Sequence, residues 1–383
     1  MQDFCELNSS DLSTLMVEHG GKEFQARQLI DWVYNKHVLD WNAMTNLSKD
    51  LRQNLAKILK LKVLELVRVQ DSDDKETFKF LWKMRDGSLV ESVLICSGTR
   101  RTVCVSSQVG CPAKCAFCAS GKNGFFRNLR PAEIVEQIVQ INAWLAPKGE
   151  FVSHVVYMGM GEPLKNYDPV VRSIRIISDP LILNLSQRRI TVSTVGIVEG
   201  IKRLALEGLK VNLVLSLHAP NQRIRVKIIP YARKYPLDEI MKAMDGYAHK
   251  TKRDITYEYI LIAGINDHPD HAHELAHLLH GKQCTVNLIP YNPVQGLHLK
   301  RPDRKAVKHF RSVLFGSKVV NTCRYTKGDD IAAACGQLAL HESEATKAVE
   351  KASEAEKAAL PETTKLEATK LGVIKDKPGC CSK

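Results

Sequence analysis

The chain has no uninterrupted apolar run approaching the ~20 residues that a bilayer-spanning helix needs, which excludes a membrane span of that kind. Its opening residues, MQDFCELNSSDLSTLM, lack the basic start and apolar stretch of an export signal. With eleven cysteines clustered rather than spread, a reducing cytoplasm is the expected setting, where thiols serve as metal ligands or reactive groups more often than as structural disulfides. Acid is the scarce charge: 42 Asp and Glu face 55 Lys and Arg, a formal net charge of +13. That imbalance fits a polyanionic partner, because Lys and Arg that neutralise phosphates release condensed counterions.

A length of 383 residues exceeds one small module, and 44% apolar with 25% charged residues supply a sizeable core. Residues 1–60 read as a basic helical unit. KEFQARQLIDWVYNK sets Phe24, Leu29, Trp32 and Val33 on one helical face, and LSKDLRQNLAKIL repeats the pattern behind Ser48, a suitable N-cap. Residues 61–97 follow as a β-hairpin linker, TFKFLWKMRDGSLVESVLI, which turns at Asp86-Gly87. From 98 to 340, β-rich runs (TVCVSS, HVVYMG, RITVST, VNLVLSL, ITYEYIL, TVNLIPY) alternate with helical patterns such as RPAEIVEQIVQINAWL, with Pro131 in its first turn. This alternation predicts parallel strands with crossover helices in a barrel-like or doubly wound α/β fold. Residues 341–383 are rich in Ala, Glu and Lys, so a solvated tail without a packed core is expected. Cys380 and Cys381 near its end fit a prenylation box poorly and are assigned no function.

TVCVSSQVGCPAKCAFCAS places four cysteines within 102–120. Cys111, Cys115 and Cys118 are spaced C-x3-C-x2-C, with Cys104 upstream at the end of an expected strand. Structural zinc, the bland alternative, needs a fourth ligand that Cys104 is badly spaced to supply. Three thiolates instead suit a [4Fe-4S] cluster with one iron left open. An open iron can chelate the amino and carboxylate groups of S-adenosylmethionine and deliver an electron that breaks a C–S bond. In GMGEP, glycines permit close backbone approach, and Glu162 can accept from an ammonium group, although Gly-Glu-Pro alone is also an ordinary turn. Ser193, Ser216, Leu217, His218 and Asn292 each end an expected strand, where parallel α/β folds bind ligands. Singly, each reads as a turn residue. Cys5, Cys96, Cys284 and Cys323 read as small buried hydrophobes, and Cys335 by itself would read the same way. Glu91 by itself is a charged residue in an apolar strand.

CVSSQVGCPAKCAFCASGKNGFFRNLRPAEI, followed by VVYMGMGEPLKN, RRITVSTVG, LSLHAP, LIPYNP and GDDIAAACGQLA, resembles the RlmN family of the radical S-adenosylmethionine superfamily. The triple-cysteine motif alone names only the superfamily. The ordered set, from about residue 22 to 340 with QARQLIDWVY and MTNLSKDLRQNL near its start, is specific to the family. The resemblance implies a partial (βα)6 barrel and methylation of adenosine C2 in 23S ribosomal RNA and in transfer RNA. It implies a [4Fe-4S] cluster on Cys111, Cys115 and Cys118. S-adenosylmethionine contacts would come from Gly161, Glu162, Ser193, Ser216, Leu217, His218 and Asn292. Cys335 would carry a methyl group, Cys104 would resolve it, and Glu91 would accept a proton.

The chemistry explains the two extra thiols. Adenine C2 lies between two ring nitrogens and is too electron-poor to attack a methylsulfonium. In the mechanism the resemblance implies, Cys335 takes a methyl from one S-adenosylmethionine, and a second is cleaved to a radical that activates that S-methyl group. Addition to C2 attaches RNA covalently, and Cys104 releases it with a transient disulfide. A buried base must first leave its stack, and GTRRT, FFRNLR, QRR and NQRIRVKIIPYARKY offer basic holds on the backbone. The expected partners are 23S ribosomal RNA, transfer RNA and an electron donor such as flavodoxin, with a monomeric enzyme. Rival readings are a Cfr-like enzyme methylating C8 with the same cysteines, and a methylthiotransferase. The second would want another cysteine cluster near the amino terminus, where only Cys5 stands. From another class, a non-catalytic iron–sulfur or zinc RNA-binding protein would need neither Cys104 nor Cys335.

Overall fold

The computed structural model of the chain describes residues 1–122, 124–324 and 327–338. The expected tail, with Cys380 and Cys381, lies outside the described residues. Near the amino terminus, polar caps start three helices and apolar stripes bury them. Helix α1 (Ser9–Glu18) opens on a capping box in which Asn8 accepts from the Asp11 N–H at 2.8 Å and Asp11 accepts from the Asn8 N–H at 3.2 Å. Helix α2 (Glu23–Ile30) runs on into a π-helical turn over Asp31–Asn35, and α3 (Lys49–Ile58) is capped by Ser48. Leu29 and Val33 are buried together with Ala26, Ile30 and Tyr34, whereas Phe24 is 54% exposed. Phe24 and Leu29 are five positions apart, about 140° around a 3.6-residue turn, so the buried face is narrower than the sequence pattern suggests. A short parallel pair, β1 (Gln2–Asp3) with β2 (Leu59–Lys60), clasps the ends of this segment.

One ten-stranded sheet dominates the rest. The hairpin strands β3 (Leu64–Asp71), β4 (Thr77–Met84) and β5 (Leu89–Ser97) run antiparallel and pair onto β6 (Arg100–Cys104). The hairpin linker is thus built into the sheet itself. The turn at Asp86-Gly87 forms as expected, with Gly87 at φ 80°. After β6, a small antiparallel hairpin of β7 (Gln108–Gly110) and β8 (Phe125–Asn128) brackets the cysteine loop.

Parallel strands β9 (His154–Tyr157), β10 (Ile190–Thr194), β11 (Asn212–Ser216), β12 (Ile255–Leu261) and β13 (Cys284–Pro290) follow in sequential order from β6. The six expected strands are all present, and a short seventh, β14 (Asn321–Cys323), pairs onto β13. Their crossovers carry α4 (Pro131–Leu145), α5 (Tyr167–Ile177), α6 (Val198–Leu204), α7 (Gln222–Ile228), α8 (Leu237–Thr251), α9 (Pro269–Leu278) and α10 (Arg304–Gly316). The segment after β14 returns to the antiparallel strands near the far end of the strand order. There Lys327 pairs with Glu76, and the Asp73 N–H donates to Asp330 at 2.7 Å. Contact between opposite ends of the strand order requires the sheet to curl into a partial barrel. One apolar core runs from Phe4 to Leu338, so the amino-terminal helices share it with the sheet.

Candidate active site

The cysteine loop departs from β7 and returns at β8. Gly110 must be glycine, because a Cβ there would lie 2.0 Å from the Gly124 carbonyl oxygen. Three backbone bonds fix the loop: Cys111 N–H to Gly124 O at 2.9 Å, Ala116 N–H to Ile228 O at 2.9 Å, and Ala119 N–H to Gly336 O at 2.8 Å. The second ties the loop to α7, and the third ties it to the segment bearing Cys335. All three loop thiols are free. Burial pushes each up, Cys111 to about 12. Cys115 is raised further by Cys118 and Cys111 and lowered by Arg225, so these groups share one electrostatic neighbourhood. Among the described residues, no three His, Cys, Asp or Glu side chains are close enough to grip a single metal ion.

Arg225 is the counterpart to these thiols. It is fully buried on α7, donating to the carbonyls of Val195 (2.5 Å), Ser216 (3.2 Å) and Leu217 (3.2 Å), while its Nη1 has no hydrogen-bond partner. Burial lowers it to about 10, and the Cys115 thiol opposes that shift. A buried cation with an orphaned donor, on the helix to which the residue after Cys115 is bonded, fits an anionic cluster held by the loop thiols. The sequence pattern grouped Arg225 with RNA-facing basic residues; its burial between Ile224 and Ile228 corrects that reading.

The GMGEP turn after β9 packs tightly on the chain leaving β6. A Cβ on Gly159 would lie 2.7 Å from Val105 O, and Gly161, at φ 106°, would bring one 2.6 Å from the Gln108 side chain. Glu162 is buried and accepts from the N–H groups of Leu164 (3.0 Å) and Val195 (2.8 Å), while burial raises its carboxyl to about 7. Ser193 and Ser216 sit 3.2 Å apart, hydroxyl to hydroxyl, at the ends of β10 and β11. Leu217 is buried. His218, at φ 56°, accepts at Nδ1 from the Ile260 N–H (3.0 Å) and lies edge-on to Phe117. Burial and then Arg225 drive its pKa down to about 3, so the ring is neutral, with its proton on Nε2. Asn292 donates to the Cys335 carbonyl at 3.2 Å.

Cys335 opens onto a cavity of about 480 Å³ lined also by Arg100, Thr102, Asn292, Arg324 and Lys327. It is the exposed cysteine of the described set. Burial pushes the thiol well up, followed by Glu258, Cys104 and Cys118, with Arg324 opposing. Cys104, at the end of β6, is pushed by burial up to about 12. Lys79, Val93 and Cys104 are successive register partners across β4, β5 and β6, and Glu91 lies two residues from Val93 on the same face. Glu91 does not line the cavity; it is buried in an ion pair with Lys79 at 3.2 Å. Sequence reasoning missed Lys79, Arg225, Glu258 and Arg324. Glu258 carried the same signal as Glu91, a lone acid within an apolar strand, ITYEYIL.

A triple-cysteine loop behind the first parallel strand, with ligand-facing groups at successive strand ends, defines a radical S-adenosylmethionine enzyme, and residues 105–276 match that superfamily. Residues 2–61 match the ribosomal RNA large subunit methyltransferase N-terminal domain. The chain is 73% identical over 342 residues to the probable dual-specificity RNA methyltransferase RlmN 2 of Protochlamydia amoebophila, covering 89% of this chain and 96% of the relative. It is 47% identical over 333 residues to the probable dual-specificity RNA methyltransferase RlmN of Symbiobacterium thermophilum, covering 87% and 90%. A radical SAM methyltransferase from Sphaerobacter thermophilus, solved by crystallography, superposes with a TM-score of 0.86 at 42% identity, covering 88% of this chain and 99% of that one. The chain belongs to the RlmN family of RNA methyltransferases. Membership brings S-adenosylmethionine and a [4Fe-4S] cluster as working parts, with RNA as substrate.

Proposed function

We propose that the enzyme methylates C2 of an adenosine in 23S ribosomal RNA and in transfer RNA, with Cys335 as methyl carrier and Cys104 as its resolving partner. The observation that supports the reading is a cavity-facing Cys335 with Cys104 in its electrostatic neighbourhood, two free thiols that simple RNA binding does not require. Cys111, Cys115 and Cys118 hold the cluster, which when bound supplies the electron that cleaves S-adenosylmethionine. Glu162 keeps lone pairs for the methionine ammonium after accepting from two backbone N–H groups. His218 offers a neutral Nε2–H, and Gly161, Ser193, Ser216, Leu217 and Asn292 complete the contacts. Each turnover uses two S-adenosylmethionine molecules and electrons from a flavodoxin-type donor, in a monomeric enzyme.

In the resolving step, the Cys104 thiol gives up its proton as its sulfur attacks the Cys335 sulfur. An S–S bond forms and the S–CH2 bond breaks; the bonding pair stays on carbon, which takes up a proton to become the new methyl group. Glu91, charge-paired with Lys79 and outside the cavity lining, is the ultimate rather than the direct acceptor of the proton that leaves C2. The test is anaerobic reaction of the reconstituted enzyme followed by mass spectrometry of the RNA and protein. The expected result is 2-methyladenosine, S-methylation at Cys335, and a ribonuclease-sensitive protein–RNA adduct accumulating in Cys104→Ala. Methyl at C8, or normal turnover by Cys104→Ala, overturns the reading.

A further inference from the structure

We infer that Arg225 is the built-in countercharge of the cluster site, a positioning residue that makes the cluster easier to reduce and not a contact for RNA. The inference rests on the cluster sitting on Cys111, Cys115 and Cys118. The guanidinium is fully buried and forms no ion pair with a carboxylate among the described residues. Burying such a cation without a partner is costly, and three carbonyl bonds offset only part of that cost. Those bonds occupy Nε and Nη2 and leave Nη1 unsatisfied.

Two features aim the charge at the cysteine loop. The Ala116 N–H, next in the chain to Cys115, bonds to the carbonyl of Ile228, three residues after Arg225 on the same helix, at 2.9 Å. The carbonyls that Arg225 grips belong to the ends of β10 and β11, where Ser193 and Ser216 stand. One side chain therefore ties the S-adenosylmethionine rim to the cluster loop. Three thiolates on a [4Fe-4S]2+ core carry a net charge of −1, and one electron from a low-potential donor makes it −2. A fixed cation in a dry site favours the more negative state.

The experiment compares full-length, anaerobically reconstituted wild type with Arg225→Lys, which keeps the charge, and Arg225→Gln, which keeps hydrogen bonding without it. Iron and sulfide content and the midpoint potential, followed by electron paramagnetic resonance during dithionite titration without S-adenosylmethionine, are the readouts. At the wild-type midpoint, the reduced-to-oxidised ratio should fall about tenfold in Arg225→Gln, a shift of ~59 mV to more negative potential for one electron. Arg225→Lys should remain close to wild type. Failure of Arg225→Gln alone to assemble the cluster also supports the countercharge role. An unchanged potential in Arg225→Gln, equal shifts in both variants, or loss of cluster from both makes Arg225 a carbonyl clamp and overturns the inference. If wild type itself holds no iron, the cluster assignment fails instead.

Discussion

Lys79 and Glu91 show what single residues contribute beyond their type. Both are almost fully buried on neighbouring antiparallel strands, and their 3.2 Å pairing neutralises two charges that neither strand could bury alone. Lys79 also reaches toward the Ala332 carbonyl at 3.5 Å, in the segment that carries Cys335. Removing one member of a buried pair strands the other, typically at ~3–5 kcal/mol. Lys79→Met should therefore lower stability by about that much in denaturant unfolding. The double variant Lys79→Met/Glu91→Leu should recover most of the loss, because an apolar pair suits the site. Methyl incorporation into RNA should stay lost in the double variant, since it restores packing and not a proton acceptor. Recovery of both properties would reduce Glu91 to a structural residue. Neither partner's role was legible singly: a Lys and a Glu in separate apolar strands look alike until the register places them together.

At the scale of elements, much of the fold was readable because period and punctuation agree. Pro131 opens α4, Ser48 caps α3, Asp86-Gly87 turns the hairpin, and the β-rich runs are strands. Two things were not readable. The sequence does not say that the hairpin pairs onto the parallel sheet, since the pairing is long-range. Nor does it say that α4 buries acids: Glu136 accepts from the N–H groups of Val63 (2.6 Å) and Leu64 (3.1 Å) and from Gln140 (2.7 Å), stitching the helix to the start of β3. Burial raises Glu136 from 4.5 to about 7. Its folded state therefore holds a proton that the unfolded chain releases at lower pH, so stability declines as pH rises from about 4.5 through 7. The contribution is at most roughly 3.5 kcal/mol, at ~1.4 kcal/mol per unit. Urea unfolding of metal-free, reduced protein at pH 5 and pH 8 should show this fall, and Glu136→Gln should make it shallower. Glu162, raised to about 7 for the same reason, adds to the fall, while His218, held neutral by burial, opposes it below about pH 6.5, so the difference between wild type and Glu136→Gln is the measure.

Across the whole molecule, the distribution of charge matters more than its sum. The excess of +13 read from composition fits RNA, but the fold sorts the basic segments that composition could not. Arg101 is paired with Glu150 at 2.5 Å, Arg127 with Asp86 and Glu133 at 2.5 and 2.9 Å, and Arg225 is buried. Arg188 and Arg189 are exposed but precede β10, at the strand ends opposite those that carry the site. Arg233 and Lys234 are exposed just beyond α7, on the side of the cysteine loop. Binding to substrate RNA should weaken linearly on log–log axes as salt rises, with a slope of about −0.7 to −0.9 for each phosphate neutralised. Arg233→Gln/Lys234→Gln should reduce that slope by roughly two such increments. Arg188→Gln/Arg189→Gln, with the same loss of charge, should leave it unchanged. Equal effects from the two pairs would mean that RNA responds to net charge alone and that the rim bearing the strand carboxyl ends is not its docking face.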